Sequence, residues 1–183
     1  MERRTALKLI AAGVIAERLE GAHQHLVQIA QAPAAYKLQF FSAEQNLLLD
    51  RLTESIVPAD DHSPGASAAQ VSLFIDLMVA NSRTDAQAQW LAGLRAVEDE
   101  TRGRFGKPFL HCNAEQQDQI LAAMSAHEGS PETELERFFA RLKGMTADGY
   151  YTSTIGIHKE LGYKGSAALA EFPGCTHPEH KRN

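Results

Sequence analysis

The chain has 183 residues, of which 44% are hydrophobic and 22% charged, with a formal net charge of -5 and a pI near 5.9. That length and apolar content suffice for one buried core and argue against both disorder and a membrane bundle. An acidic balance without a basic patch interleaved with aromatics leaves no electrostatic footprint for nucleic acid, which is set aside as a partner.

Residues 1–35 read as a head distinct from the rest. Arg3 and Arg4 stand just before the apolar stretch 6–16, in which Lys8 is the only charged residue. This is the shape of a twin-arginine export signal, an address read by a receptor rather than an anchor. An apolar run of roughly ten residues falls well short of the about 20 needed to span a bilayer, so no transmembrane segment is expected. The same stretch has a second reading as an N-terminal amphipathic helix. Leu7, Ile10, Val14 and Ile15 recur at helical spacing, and the pattern runs on past Glu17, Arg18 and Leu19. No single small-residue cleavage site stands out in the alanine-rich passage 30–35.

Residues 36–183 read as a single helical domain. Ser42 with Gln45 forms a capping box that starts a first helix, whose buried stripe is Leu48, Leu49, Leu52 and Ile56. Pro58 stops it, and residues 59–66, rich in turn formers, are expected as a loop. A second helix is expected from about Ser67, with Val71, Phe74, Ile75 and Met78 facing inward and Asn81 and Ser82 ending it. A third starts near Thr84, lined by Trp90, Leu91, Leu94 and Val97, and is expected to be interrupted by Gly103, Gly106 and Pro108. Asn113 with Gln116 caps a fourth helix carrying Ile120, Leu121 and Met124. Ser130, Pro131 and Glu132 predict the start of a fifth, because proline at the first helical position gives up an amide that has no partner there. Leu135, Phe138, Phe139, Leu142 and Met145 form its stripe, and residues 146–159 are expected to continue as one or two shorter helices. No alternating strand pattern of comparable strength competes. The expected fold is therefore all-α, a small helical bundle with an irregular C-terminal tail punctuated by Gly165, Pro173, Gly174 and Pro178.

The densest group of potential ligands is the tail run from Cys175 through His177, Pro178 and Glu179 to His180. Thiolate, imidazole and carboxylate all bind transition metals, and His111 and Cys112 would complete such a site if the fold brought them close. The run lacks the paired spacings of structural zinc, and a nucleophilic Cys175 would lack a defined orienting group. Its competing reading is a proline-fixed tail whose polar residues make contacts. Cys112 and Cys175 are too few for a disulfide-built scaffold. Asp60, Asp61 and His62 place two carboxylates beside an imidazole, a pattern that serves acid/base or metal chemistry in some loops and caps or solvated charges in most. His158 is expected to be a hydrogen-bonded packing residue, and His23 and His25 to carry no chemistry. Glycine-rich dinucleotide, P-loop, zinc-protease and haem-attachment motifs are absent. No catalytic, cofactor-binding or metal residue is assigned, and the balance favours a helper or binding subunit.

Three stretches together resemble the gluconate 2-dehydrogenase subunit 3 family, the small accessory subunits of bacterial membrane-associated, flavin-dependent sugar and polyol dehydrogenases. They are the head at Arg3 and Arg4, the passage 52–66 with Pro58, Asp60, Asp61, His62, Ser63, Pro64 and Gly65, and the end running from Tyr150, Tyr151 and Gly156 through Leu161, Gly162 and Tyr163 to Phe172, Pro173, Gly174, Cys175, His177 and Pro178. The resemblance implies a noncatalytic helper of a large subunit that holds FAD, with a haem-bearing cytochrome c subunit as electron acceptor. It implies a periplasmic location, with membrane association through partners. It also implies that the small subunit carries the export signal for a signal-less partner. The tail residues Pro173, Gly174, Cys175, His177 and Pro178 then become a candidate partner interface, with Cys175 available to pair with a partner cysteine in an oxidising compartment. Two rival readings are a metal-binding protein or enzyme built on Cys175, His177 and His180, and a cytosolic helical interaction module.

Overall fold

Capping chemistry sets where several of the helices begin. The computed structural model describes residues 36–165; Arg3, Arg4, His23, His25 and the tail residues Pro173, Gly174, Cys175, His177, Pro178 and His180 lie outside the described residues. In order come α1 (Ala43–Ile56), α2 (Val71–Ala80), α3 (Thr84–Phe105), a 3-10 turn at Phe109–His111, α4 (Ala114–Met124), α5 (Glu134–Thr152) and a π-helical turn at Gly156–Glu160. No strand occurs among the described residues, in keeping with the all-α expectation. The boxes of Ser42 with Gln45 and Asn113 with Gln116 form reciprocally as the spacing requires.

Three boundaries differ from expectation, each for a local reason. The second helix begins at Val71 rather than Ser67, because Gln70 adopts a left-handed backbone (φ 57°) and residues 66–70 form a turn whose Ser67 is hydrogen-bonded to α1. The third passes through Gly103 and ends only at Gly106, whose φ of 69° terminates it in the left-handed region favoured by glycine. The fifth starts after Pro131, at a capping box of Thr133 with Glu136, and runs unbroken to Thr152.

The core is assembled between α3 and α5, with α1 and α2 laid against it and α4 closing the far side. Gly93 of α3 lies where any Cβ would collide with the Phe138 ring of α5, so its lack of a side chain allows the two longest helices to approach closely. Trp90 meets Phe138 edge to face at 5.5 Å, and Phe41 meets Trp90 at 6.3 Å. Such pairs add about 0.5–1.5 kcal/mol beyond area burial. Leu49, Leu52, Ile75, Val97, Ile120, Met124 and Leu142 fill the remaining interior. Met78, expected inside, is 47% exposed. No helix among the described residues is long and apolar enough to cross a membrane.

One buried carboxylate ties the entering chain to this core. Asp76 of α2 is fully buried, and its Oδ1 accepts the amides of Phe40 (3.0 Å) and Phe41 (2.8 Å). Its Oδ2 accepts the Gln39 amide (2.7 Å) and the Tyr36 hydroxyl (2.9 Å). Burial, followed by the hydrogen bond to Asp76, pushes the Tyr36 phenol above its ordinary range. Asp76→Ala would orphan three amides and a phenol, so a loss of about 3 kcal/mol in urea unfolding is expected. Asp76→Asn should lie between that variant and the native protein. A loss below about 1 kcal/mol for Asp76→Ala would show that segment 36–41 does not depend on the carboxylate.

A second carboxylate joins α4 to α5 and makes the link sensitive to pH. Glu136 accepts the amides of Thr133 and Glu132 and a 2.6 Å hydrogen bond from His127 Nδ1. The Thr133 amide, then the His127 hydrogen bond, pull the Glu136 carboxyl down to about 2, while the hydrogen bond to Glu136 raises His127. A depressed acid stabilises the fold above its ordinary pKa and loses that contribution as pH falls toward the native value. A raised base stabilises below its ordinary pKa and loses the contribution as pH rises through the native value. Both act fully between pH ~4.5 and ~6.5. His127→Ala should therefore lower the unfolding midpoint more at pH ~5.5 than at pH ~8.5. Equal effects at the two values would reject the link.

Candidate functional site

Two of the stretches singled out in the sequence meet at one end of the bundle, although 86 to 98 residues separate the partners. The Tyr150 hydroxyl, on the last full turns of α5, donates to the Pro64 carbonyl at 2.7 Å. With that proton committed, the Ser63 hydroxyl is left to donate to the Tyr150 oxygen, also at 2.7 Å. His62 Nε2 lies 3.2 Å from the Glu160 carbonyl, so the imidazole donates from that nitrogen to the π-helical turn. Tyr150 and Ser63 are both buried.

The loop 57–70 is held rigid by acceptors on α1. Glu54 accepts the Ala59 amide at 3.1 Å on one oxygen and the Ser67 amide at 2.8 Å on the other. Asp50 accepts the hydroxyls of Ser67 and Ser72 at 2.9 and 3.3 Å. Gly65 passes so close to the Glu54 carboxylate and the Ala59 amide that a Cβ has no room. Ala66 returns to α1 through its amide, 2.9 Å from the Val57 carbonyl.

Within this loop the expected carboxylate and imidazole group is divided among separate tasks. Asp60 Oδ1 accepts the amides of His62 and Ser63, each at 2.8 Å, closing a side-chain turn. The Ser63 amide, then the His62 amide, hold the Asp60 carboxyl below the usual carboxylate range. Asp61 is exposed, and His62 turns toward the π-helical turn. No group of three metal-ligating side chains occurs among the described residues.

The π-helical turn folds back over the end of α5. Gly156 lies against the Tyr150 carbonyl, where a Cβ would clash, and its amide is held by the Ser153 hydroxyl at 2.9 Å. Leu161 closes the turn onto the Gly156 carbonyl, and the Tyr163 amide returns to the Ile157 carbonyl. His158 is exposed, correcting the expectation of a packing residue; its Nδ1 donates to the Tyr163 carbonyl at 3.0 Å. Around this end Tyr151 is 44%, Leu161 61% and Tyr163 49% exposed. A rigid polar frame thus carries large apolar side chains that face solvent, an arrangement suited to binding another macromolecule.

Other candidates are placed apart from this end. Cys112 is buried, its thiol facing the Pro108 carbonyl at 3.7 Å, while neighbouring His111 is exposed. A surface cleft of about 270 Å³ lies between α1, α3 and the 3-10 turn, floored by Leu48, Leu91, Leu94 and Leu110. Glu98 on its wall accepts the Phe109 amide at 3.3 Å and pairs with Arg102 at 3.3 Å. The buried Asp76 clamp and the partnership of Tyr150 with Ser63 have no local signal, because each joins residues distant in the chain. Only the double tyrosine and the Ser63, Pro64, Gly65 run hinted at the second.

Removing the Tyr150 hydroxyl tests the frame. Tyr150→Phe leaves Ser63 and the Pro64 carbonyl without their buried partner and should cost about 1–3 kcal/mol. Gly65→Ala should destabilise through the Glu54 clash. In both variants helical circular dichroism should persist while proteolysis within 57–66 quickens. Unchanged cleavage rates would show that the loop is held independently of α5.

A profile of the family described as gluconate 2-dehydrogenase subunit 3 matches residues 43–173. No curated protein and no solved structure matches the chain. The matched span includes α1, the loop, α5 and the π-helical turn, so it contains both halves of the frame. The chain belongs to the gluconate 2-dehydrogenase subunit 3 family.

Proposed function

We propose that this protein is the noncatalytic small subunit of a periplasmic, FAD-dependent sugar or polyol dehydrogenase, and that it supports the folding, stability and twin-arginine export of the catalytic flavoprotein. Hydride removal takes place on the flavin of that larger subunit. A cytochrome c subunit serves as electron acceptor, and membrane association comes through these partners. The observation that carries the reading is the joining of loop 57–66 to the end of α5 within the family-matched span, which leaves Tyr151, Leu161 and Tyr163 exposed on one rigid end. The tail with Pro173, Gly174, Cys175, His177 and Pro178 follows this end in sequence, which supports its use as part of the same partner interface.

Co-expression with the flavoprotein encoded beside it tests the reading. Native protein should bring the flavoprotein to the periplasm as a stable complex, and the pair Arg3→Lys with Arg4→Lys should leave both in the cytosol. Leu161→Asp should weaken complex recovery at least ~10-fold, equivalent to about 1.4 kcal/mol. Non-reducing electrophoresis should show a heavier band that Cys175→Ser removes. A complex that forms but stays cytosolic in every case would overturn the export role alone. Absence of any complex would overturn the subunit reading.

A further inference from the structure

Helix α2 is apolar on nearly every side. Its ten residues contain one charged group, Asp76, and that carboxylate is fully buried. Val71, Ile75 and Val79 point into the core, whereas Leu73, Leu77 and Met78 stand outside the set of side chains that pack there. Leu73 and Leu77 are half-buried and Met78 is 47% exposed. Spaced four and five residues apart, the three form a stripe along the outer side of the helix. A helix apolar all round belongs in an interior, so this stripe requires a cover that the described residues do not supply.

We propose that the cover is the chain's own N-terminal segment, with Leu7, Ile10 and Val14 seated on Leu73, Leu77 and Met78. The place where that segment joins the domain carries the argument. Tyr36 donates to Asp76 Oδ2 and the Gln39 amide donates to the same oxygen, so residues 1–35 enter the domain from α2 itself. Ten helical residues extend for about 15 Å. The connecting stretch 15–35, as a flexible chain, spans roughly 25 Å root-mean-square, which matches a return onto the same helix. Such a tether gives an effective concentration on the order of millimolar and favours intramolecular docking over a second copy. The two patterns also complement each other, since Leu7, Ile10 and Val14 repeat at helical spacing and Lys8 lies about a quarter turn off that face. Docking therefore buries no charge on either side. Its consequence is that an N-terminal address, whatever reads it, is sheltered on the folded domain until a receptor displaces it.

A benzophenone side chain introduced at Met78 of the full chain tests this, with the cross-linked peptide identified by mass spectrometry. The expected product is an intrachain link to residues within 1–35. The combined substitutions Leu7→Asp, Ile10→Asp and Val14→Asp should lower its yield on the order of tenfold while circular dichroism stays unchanged. Persistence of the link in the substituted chain would mean that the tether alone brings the segment there, and would overturn the proposal. Links to a second copy, to residues 36–183 only, or to none would overturn it as well. A link to the co-expressed flavoprotein in place of the intrachain product would overturn it while leaving the accessory-subunit reading intact.

Discussion

The arrangement of the bundle depends on one buried carboxylate with no cationic partner. Asp76 is sealed from solvent and stabilised by three backbone amides and a phenol, which together distribute donors over both of its oxygens. Burying an ionised carboxylate is costly unless hydrogen bonds replace its hydration, and consecutive amides are the donors the chain can supply most compactly. The conformation of segment 39–41 follows from that requirement. It fixes Phe41 against Trp90, Trp90 against Phe138, and through Phe138 the close approach of α3 to α5 at Gly93. The aromatic interior and the entry point of the N-terminal segment are thus set by the same group.

Acidic side chains repeat this use elsewhere. Glu54 and Asp50 receive donors of the loop after α1, Asp60 closes the turn inside it, and Glu136 receives amides and an imidazole at the head of α5. These carboxylates serve as acceptors for connections that lack helical hydrogen bonds of their own. In a chain of net charge -5, part of the acidic excess is spent on shaping loops. The outcome is a scaffold with stiff connections at the end where Tyr150 meets Ser63 and Pro64. Stiffness there lowers the conformational cost of binding a partner. That property suits membership in a family of dehydrogenase subunits.

Much of the helical order was legible in the residues. The boxes of Ser42 with Gln45 and Asn113 with Gln116 begin helices where their spacing says they should, since an N-cap and its third residue are local by construction. The stripes of α1 and α5 also face the core as read, with Leu49, Leu52, Phe138 and Leu142 fully buried. Misreadings arose where a nonlocal partner decided. Ser67 looked like a helix start, but its amide and hydroxyl are taken by Glu54 and Asp50. Pro131 looked like a first helical residue, while the Thr133 box lies two positions on. Met78 looked like a core residue because periodicity defines a face without saying how wide the neighbouring elements make it.

By itself the sequence determined the all-α class, the caps and the apolar faces, because these arise from interactions within a few residues of one another. The resemblance read from loop 52–66 and the end of the chain likewise named the family that the match over 43–173 shows. Only the tertiary structure decided that Asp76 is an interior acceptor, that Ser63 and Tyr150 share a hydrogen bond, and that α2 keeps an uncovered stripe. A carboxylate, a hydroxyl or a methionine has the same local pattern whether its surroundings are solvent or core. Its role is set when distant segments either bring it partners or leave it without them.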